Sequence, residues 1–104
     1  MEQRRLLIVD DEIDLLVTLK QFFERRGYLV WVADSGAAAI QLVSRYQPHA
    51  VLLDRHLERS SLQGLEVFQQ ITREWPNIVV IVLDKPFSVA ALLRTLQHAT
   101  SEGR

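Results

Sequence analysis

Acidic side chains and a lysine stand at the ends of apolar segments in this chain. Asp10 and Asp11 follow the run LLIV, Asp54 follows AVLL, and Asp84 and Lys85 come directly after IVVIVL. Neighbouring carboxylates repel one another, and a bound cation relieves that repulsion. Mg²⁺ takes carboxylate oxygens as ligands, and a lysine holds a phosphoryl group as a point charge. A carboxylate nucleophile, a divalent cation and a lysine are the groups that forming an aspartyl phosphate requires.

Four apolar runs predict the strands that would position these groups. None of the runs alternates with polar residues, which is typical of strands covered on both faces in a parallel sheet. Segments of helical periodicity fill the gaps. The order β-α-β-α-β-α-β-α therefore predicts an α/β fold, a doubly wound, flavodoxin-like parallel sheet reduced to about four strands with helices on both faces. Ligand sites of such sheets lie beyond the carboxyl ends of the strands. The runs are Leu6–Val9, Leu29–Ala33, Ala50–Leu53 and Ile78–Leu83.

Capping residues and stops mark the predicted helices. Ser88 is a good N-cap for the last helix, Ser35 with Gly36 offers an entry to the second, and Gly27 supplies the stop of the first. Apolar spacing predicts that the third helix buries a single face. That face would consist of Leu65, Phe68, Ile71 and Trp75.

Each charged group also has an ordinary structural interpretation. Asp10 or Asp11 could cap the helix that starts near Ile13, and a lone lysine such as Lys85 is usually a surface residue. We assign Asp34 to the turn before the second helix. The combination of acidic strand ends and a lysine in one topology nevertheless favours a functional site.

The aromatic and histidine side chains are assigned structural roles. Trp31 and Trp75 are expected to pack in the core. His49 and His98 have no ligand partner at metal spacing and are expected to be structural or exposed. His56 could titrate near the site, although nothing in the pattern requires it.

Composition excludes several classes of protein. The length of 104 residues predicts a single domain over residues 1–104. The absence of cysteine excludes disulfides and thiolate metal sites and fits a cytoplasmic location. A net charge of -1 does not suggest a general nucleic-acid-binding surface. The longest apolar run, Ile78–Leu83, is too short to cross a bilayer. We therefore expect no direct binding to nucleic acid and no membrane association.

The segments LLIVDDEIDLL, PHAVLLD, GLEVFQQI and KPFS resemble the receiver domain of two-component response regulators. The resemblance implies that Asp10 and Asp11 bind Mg²⁺ and that Asp54 accepts a phosphoryl group. It also implies that the backbone carbonyl of His56 is a metal ligand and that Lys85 contacts the phosphoryl group, with a cis peptide before Pro86. The implied phosphoryl donor is a histidine kinase or a phosphotransfer protein.

Three departures from the receiver pattern bear on mechanism. About twenty residues, corresponding to a fourth helix and a fifth strand, are missing before Lys85 when usual element lengths are applied. If Ile78–Leu83 corresponds to the family's fourth strand, Asp84 stands where the family places Thr or Ser, as an anion that would oppose the phosphate. If that run corresponds to the family's fifth strand, the hydroxyl is missing altogether. Glu58 replaces a proline in the loop after Asp54, and that loop is longer than usual.

Two interpretations follow, with a third as an outlier. The first is a phosphoacceptor receiver in which Mg²⁺-dependent phosphorylation of Asp54 regulates an output, with at most self-catalysed phosphoryl transfer and no other enzymatic activity. The alternative is a pseudo-receiver used for dimerisation or protein contact. A small Mg²⁺-dependent phosphatase fits less well. Such enzymes place the nucleophile after the first strand, whereas the best nucleophile of this chain follows the third strand. An exposed, uncharged last strand also predicts a homodimer through the strand 4 and last-helix region.

Overall fold

The structure of the protein, a computed structural model, describes residues 3–57 and 64–100. The elements follow the order expected from the sequence, with helices and strands alternating along the chain. Residues 58–63 of the long loop after Asp54, which include Glu58, lie outside the described residues, whereas residues 55–57 are described. The elements are β1 (Arg5–Val9), α1 (Ile13–Glu24), β2 (Leu29–Ala33), α2 (Gly36–Tyr46), β3 (Ala50–Asp54), α3 (Gly64–Glu74), β4 (Val79–Leu83) and α4 (Val89–Thr100).

The strands form one parallel sheet in the order β2-β1-β3-β4. Val9 of β1 lies opposite Leu53 of β3, so the two strands end side by side. Asp54, the last residue of β3, lies opposite Leu83 of β4. The predicted doubly wound sheet is confirmed, and its register places the ends of β1, β3 and β4 together.

Two apolar layers cover the two faces of the sheet. One layer packs α1 and α4 against the sheet, for example through Phe23 and Leu96, which are fully buried. The other packs α2 and α3 against the opposite face, through residues such as Val43 and Ile71. Successive strand residues alternate between the layers, which explains why the strands are apolar throughout.

The predicted helix signals act as expected. The Ser35 hydroxyl accepts a hydrogen bond from the N–H of Ala38, and the Ser88 hydroxyl accepts one from the N–H of Ala91. Gly27 follows α1 with a φ of 93°, a conformation that glycine adopts without steric cost. These features define where α2 and α4 begin and where α1 ends.

The predicted apolar face of α3 is wrong in part. Val67 and Ile71 are buried against the sheet, whereas Leu65 is 57% exposed. Phe68 and Trp75 are partly buried at the margin of the same layer. The helix is rotated from the expected face because its first residue, a glycine, packs directly on the backbone at the end of β3.

The aromatic and histidine assignments hold where the structure tests them. Trp31 stacks on Tyr46 with ring centroids 4.5 Å apart and packs against the α2–α3 layer. His49 accepts a hydrogen bond through Nδ1 from the backbone N–H of Arg5 at 2.8 Å. His98 is exposed. Among the described helices, none has the length and apolar character needed to span a bilayer.

Candidate phosphoacceptor and metal site

The carboxylates predicted from the strand ends converge. Asp10 and Asp11 follow β1 and Asp54 ends β3, and each offers an oxygen within 4.8 Å of the others. Asp10 is 2% exposed and Asp54 is 4% exposed, so both carboxylates lie beneath the rim of the cleft. The pairing of β1 with β3 produces this arrangement, because parallel neighbours end at the same edge of the sheet.

Lys85 reaches into the same cluster from the segment after β4. Its Nζ lies 3.0 Å from Asp10 Oδ1 and 3.5 Å from Asp54 Oδ2. The same ammonium group also donates a hydrogen bond to Glu12, which sequence reasoning did not include in the site. The acidic run DDE was the available signal for Glu12, but its contact with Lys85 depends on the tertiary fold. The peptide bond from Lys85 to Pro86 is cis, as the resemblance implied.

Burial and charge shift the protonation of this cluster in defined directions. Burial is the largest effect on Asp10 and raises the pKa of its carboxyl group above the ordinary value of 3.8. The hydrogen bonds from the Glu12 backbone and from Lys85 lower that pKa without cancelling the effect of burial, and the charge of Asp54 raises it further. Burial lowers the pKa of Lys85, but contacts with Glu12, Asp10 and Asp54 outweigh it, and the pKa of Lys85 is raised overall. Lys85 is therefore a permanent cation at neutral pH.

Backbone donors orient the two buried carboxylates. The N–H of Glu12 donates to Asp10 Oδ1 at 2.8 Å, and the N–H of His56 donates to Asp54 Oδ1 at 3.2 Å. The N-cap residue of α1 is Glu12, which makes no side-chain capping hydrogen bond, and Asp10 instead closes the turn before the helix. The interpretation of Asp10 or Asp11 as the cap of this helix is therefore wrong. His56 is exposed and lines the cleft; the use of its carbonyl as a metal ligand stays a prediction.

The negative charge of Asp84, which was expected to oppose a phosphoryl group, is paired with a cation in the structure. The guanidinium of Arg55 pairs with it through Nε at 2.7 Å from Oδ1 and Nη2 at 3.3 Å from Oδ2. Asp84 still lines the cleft together with Asp54 and Lys85. Arg55 was missed because its partner is 29 residues away and is brought beside it by the pairing of β3 with β4.

Asp34 lies apart from the acidic cluster. It is exposed and borders a separate groove between α1 and α2 that Ile13 and Val17 also line. Its assignment to the turn before α2 is consistent with this position.

The donor set of the cluster fits a hard divalent cation. Asp10, Asp11 and Asp54 supply carboxylate oxygens alone, and oxygen ligands are what Mg²⁺ prefers. Lys85 balances part of the negative charge, so the carboxylates remain together when no cation is bound. The residues therefore suit Mg²⁺ better than a metal that requires nitrogen or sulfur ligands.

Asp10→Asn is expected to stabilise the metal-free protein while weakening Mg²⁺ binding. The amide oxygen can still accept the hydrogen bonds from Glu12 and Lys85, but the buried negative charge is gone. Because the folded pKa of Asp10 is raised, folding binds a proton, and the stability linked to Asp10 falls as pH rises from 3.8 through the folded pKa. We expect about 1 kcal/mol of stabilisation at neutral pH, typical of relieving such a site. Urea unfolding with a chelator measures it, and the gain should shrink as the solution is acidified towards the ordinary pKa of Asp. A destabilised variant would show that the charge of Asp10 is net favourable.

The structure defines a doubly wound α/β domain with an acidic cleft at the carboxyl ends of its strands, and comparison with known proteins identifies its family. The chain matches the response regulator receiver domain family over residues 6–101. It is 30% identical over 83 residues to sporulation initiation phosphotransferase F of Bacillus subtilis, covering 80% of this chain and 65% of that protein. It is 34% identical over 86 residues to response regulator MprA of Mycobacterium sp. strain KMS, covering 83% of this chain and 36% of that protein. The chain belongs to the receiver-domain family of two-component response regulators.

The fold agrees with this assignment. The receiver domain of NtrX from Brucella abortus superposes with a TM-score of 0.87 at 22% identity, over 94% of this chain and 99% of that chain. The present chain spans less than two thirds of the two curated relatives, with 65% of the first and 36% of the second. Receiver domains are regulatory modules of two-component signalling that interact with histidine kinases or phosphotransfer proteins.

Proposed function

We propose that Asp54 accepts a phosphoryl group from a histidine kinase or phosphotransfer protein and that its phosphorylation regulates a downstream output in the cytoplasm. One observation carries this proposal. Asp54 Oδ2 lies 3.5 Å from the Lys85 ammonium, and Asp54 shares an oxygen cluster with Asp10 and Asp11. A nucleophile, a cation and a set of metal ligands are thus within reach of one phosphoryl group.

The reaction uses groups that this cleft and its partner supply, together with a divalent cation from solution. An oxygen of Asp54 bonds to phosphorus as the phosphorus–nitrogen bond of a phosphohistidine breaks, and the imidazole leaves with the electron pair and takes a proton. Lys85 neutralises the charge on the phosphoryl oxygens. Mg²⁺, held by Asp10, Asp11, Asp54 and the His56 carbonyl, would neutralise the remaining charge. The protein acts on itself in this step and turns over no separate substrate.

The requirement for a divalent cation tests the proposal. Acetyl phosphate serves as donor, and intact mass is followed with Mg²⁺ and, separately, with excess chelator. We expect one phosphoryl group per chain with Mg²⁺ and little or none with chelator. A folded sample that takes up no phosphoryl group under either condition would refute phosphorylation and favour the alternative below.

The alternative function is a pseudo-receiver that binds a protein partner without phosphorylation. One feature favours it: Lys85 is already engaged by Asp10, Glu12 and Asp54, and Asp84 adds a carboxylate at the rim of the cleft. Under this alternative the ammonium group would be a structural counterion. Failure to bind Mg²⁺ in a calorimetric titration would then accompany the failure to accept phosphate.

We also propose a homodimer through β4 and the α4 region. β4 pairs with β3 on one side, and within residues 3–57 and 64–100 no strand pairs with its other side. Val79 donates to His49 O and Leu83 accepts from Arg55 N, so alternate residues of β4 face β3. The N–H and C=O groups of Val80 and Val82 consequently face away from it, as a template for a second strand.

Val80→Pro is expected to turn the dimer into a monomer. Proline removes an N–H that is directed away from β3, so no hydrogen bond within the sheet is lost. Val80→Thr keeps that N–H and a similar shape and serves as the matched control, which should remain dimeric. Solution scattering at high protein concentration measures the mass. A monodisperse wild-type monomer would exclude this dimer.

A further inference from the structure

Arg55 and Asp84 form an ion pair that the proposed phosphoryl transfer does not use. Arg55 Nε donates to Asp84 Oδ1 at 2.7 Å and Nη2 donates to Oδ2 at 3.3 Å. The strand register fixes both residues, because Asp54 lies opposite Leu83 and the Arg55 N–H donates to the Leu83 carbonyl at 3.1 Å. Each member of the pair is therefore the first residue beyond its strand, beside the acceptor.

A phosphoryl group on Asp54 would compete with Asp84 for the same guanidinium. Asp84 lines the cleft into which that group would project. A phosphoryl group brings nearly two negative charges and three acceptor oxygens, whereas the Asp84 carboxylate has one charge and two oxygens. The planar fork of Arg55 matches either anion. The phosphoryl group, which carries the greater charge, is therefore expected to bind Arg55 more tightly than Asp84 does.

Breaking the ion pair between Arg55 and Asp84 costs little free energy. The side chains of Arg55 and Asp84 are 49% and 64% exposed, and exposed ion pairs contribute little stability. Once Arg55 has moved, Asp84 faces a second anion in the same cleft and is repelled towards solvent. The exchange is therefore favourable for Arg55, which gains a more highly charged partner, and for Asp84, which moves away from a second anion.

We propose that Arg55 binds the phosphoryl group of Asp54 by exchanging Asp84 for the phosphoryl oxygens, and that the released Asp84 moves away from the cleft. This inference rests on the proposed phosphorylation of Asp54. Arg55, contributed by the end of β3, thereby supplies a phosphoryl contact where the end of β4 carries a carboxylate. Asp84 holds Arg55 in place until the phosphoryl group arrives.

A double-mutant cycle separates this role from simple neutralisation of Asp84. The four proteins are wild type, Arg55→Ala, Asp84→Ala and the double variant. Each is incubated with acetyl phosphate and Mg²⁺, so that the Asp54 oxygen–phosphorus bond forms as the acetyl phosphorus–oxygen bond breaks and acetate leaves. Intact mass gives the rate of uptake. Arg26→Ala, just beyond the C-terminal end of α1, is the control for loss of an arginine and should match wild type.

We expect Asp84→Ala to accept phosphate faster than wild type, because Arg55 has lost its competing anion. The double variant should be slower than Asp84→Ala by about tenfold, the loss expected for one charge-assisted hydrogen bond. If Arg55 merely neutralises Asp84, the double variant will equal Asp84→Ala, and the inference is overturned while phosphorylation stands. If none of the folded proteins takes up phosphate, the proposed function fails and this inference with it.

The NMR chemical shift of the Arg55 Nε–H provides a second readout. Phosphorylation would leave this chemical shift unchanged if Arg55 had only a structural role. The chemical shift should change on phosphorylation of wild type, and a change should also occur in Asp84→Ala, where no exchange partner exists. A phosphorylated protein whose Arg55 resonance stays at its starting position would contradict the proposal.

Discussion

Gly64→Ala is expected to lower the free energy of unfolding by about 2–3 kcal/mol, in the range of overpacked cores. A Cβ at this position would lie 2.4 Å from the carbonyl oxygen of Asp54 and 2.5 Å from that of Arg55. Both oxygens belong to the backbone at the end of β3, a strand held between β1 and β4. These backbone oxygens cannot move aside as the end of a flexible side chain would. Either α3 or the end of β3 must therefore shift.

Helix propensity predicts the opposite sign, which makes the test informative. Alanine is favoured over glycine within a helix by about 1 kcal/mol, so an uncrowded site would be stabilised. Leu65→Ala, one residue along α3 and largely exposed, is the matched control and should change stability by no more than about 0.5 kcal/mol. Urea unfolding measures both variants. A Gly64→Ala protein as stable as the parent would show that α3 does not pack against β3 this closely.

Lys85→Met is expected to slow phosphoryl uptake from acetyl phosphate by about 100-fold, the effect of removing one preorganised charge donor. The Lys85 ammonium lies 3.5 Å from Asp54 Oδ2 and 3.0 Å from Asp10 Oδ1, so it is positioned to neutralise charge on a phosphoryl group at Asp54. Methionine retains much of the aliphatic length and removes the charge. Intact mass over time gives the rate.

Metal affinity distinguishes this role of Lys85 from a general collapse of the site. Because the ammonium group and Mg²⁺ are attracted to the same carboxylates and repel each other, Lys85→Met should bind Mg²⁺ at least as tightly as wild type. Lys20→Met, on the exposed side of α1, controls for loss of a lysine and should leave uptake unchanged. Uptake by Lys85→Met at the wild-type rate would remove Lys85 from the mechanism.

Sequence periodicity predicted the parts of the fold that depend on local pattern. The uninterrupted apolar runs identified all four strands of the described sheet, and the strand ends identified Asp10, Asp54 and Lys85 as neighbours. These predictions succeed because parallel strands covered on both faces must be apolar throughout and must end at a common edge.

Features set by register and by individual packing contacts could not be predicted. The Arg55–Asp84 pair depends on β3 lying beside β4 in one register, and the Glu12 contact depends on where Lys85 reaches. The face of α3 was misassigned because spacing alone favoured Leu65, while the close approach of Gly64 to β3 directs Val67 and Ile71 inward. A glycine at the start of a helix carries no sequence signal of such an approach.

The central claim is that Asp54 is the phosphoacceptor, and intact mass after incubation with acetyl phosphate and Mg²⁺ tests it most directly. Asp54→Asn is the matched control, because it keeps the shape of the side chain and the acceptor oxygen for the His56 N–H. We predict one phosphoryl group on the wild-type chain and none on Asp54→Asn. Equal uptake by the two proteins, or no uptake by a folded wild-type protein, would contradict the claim.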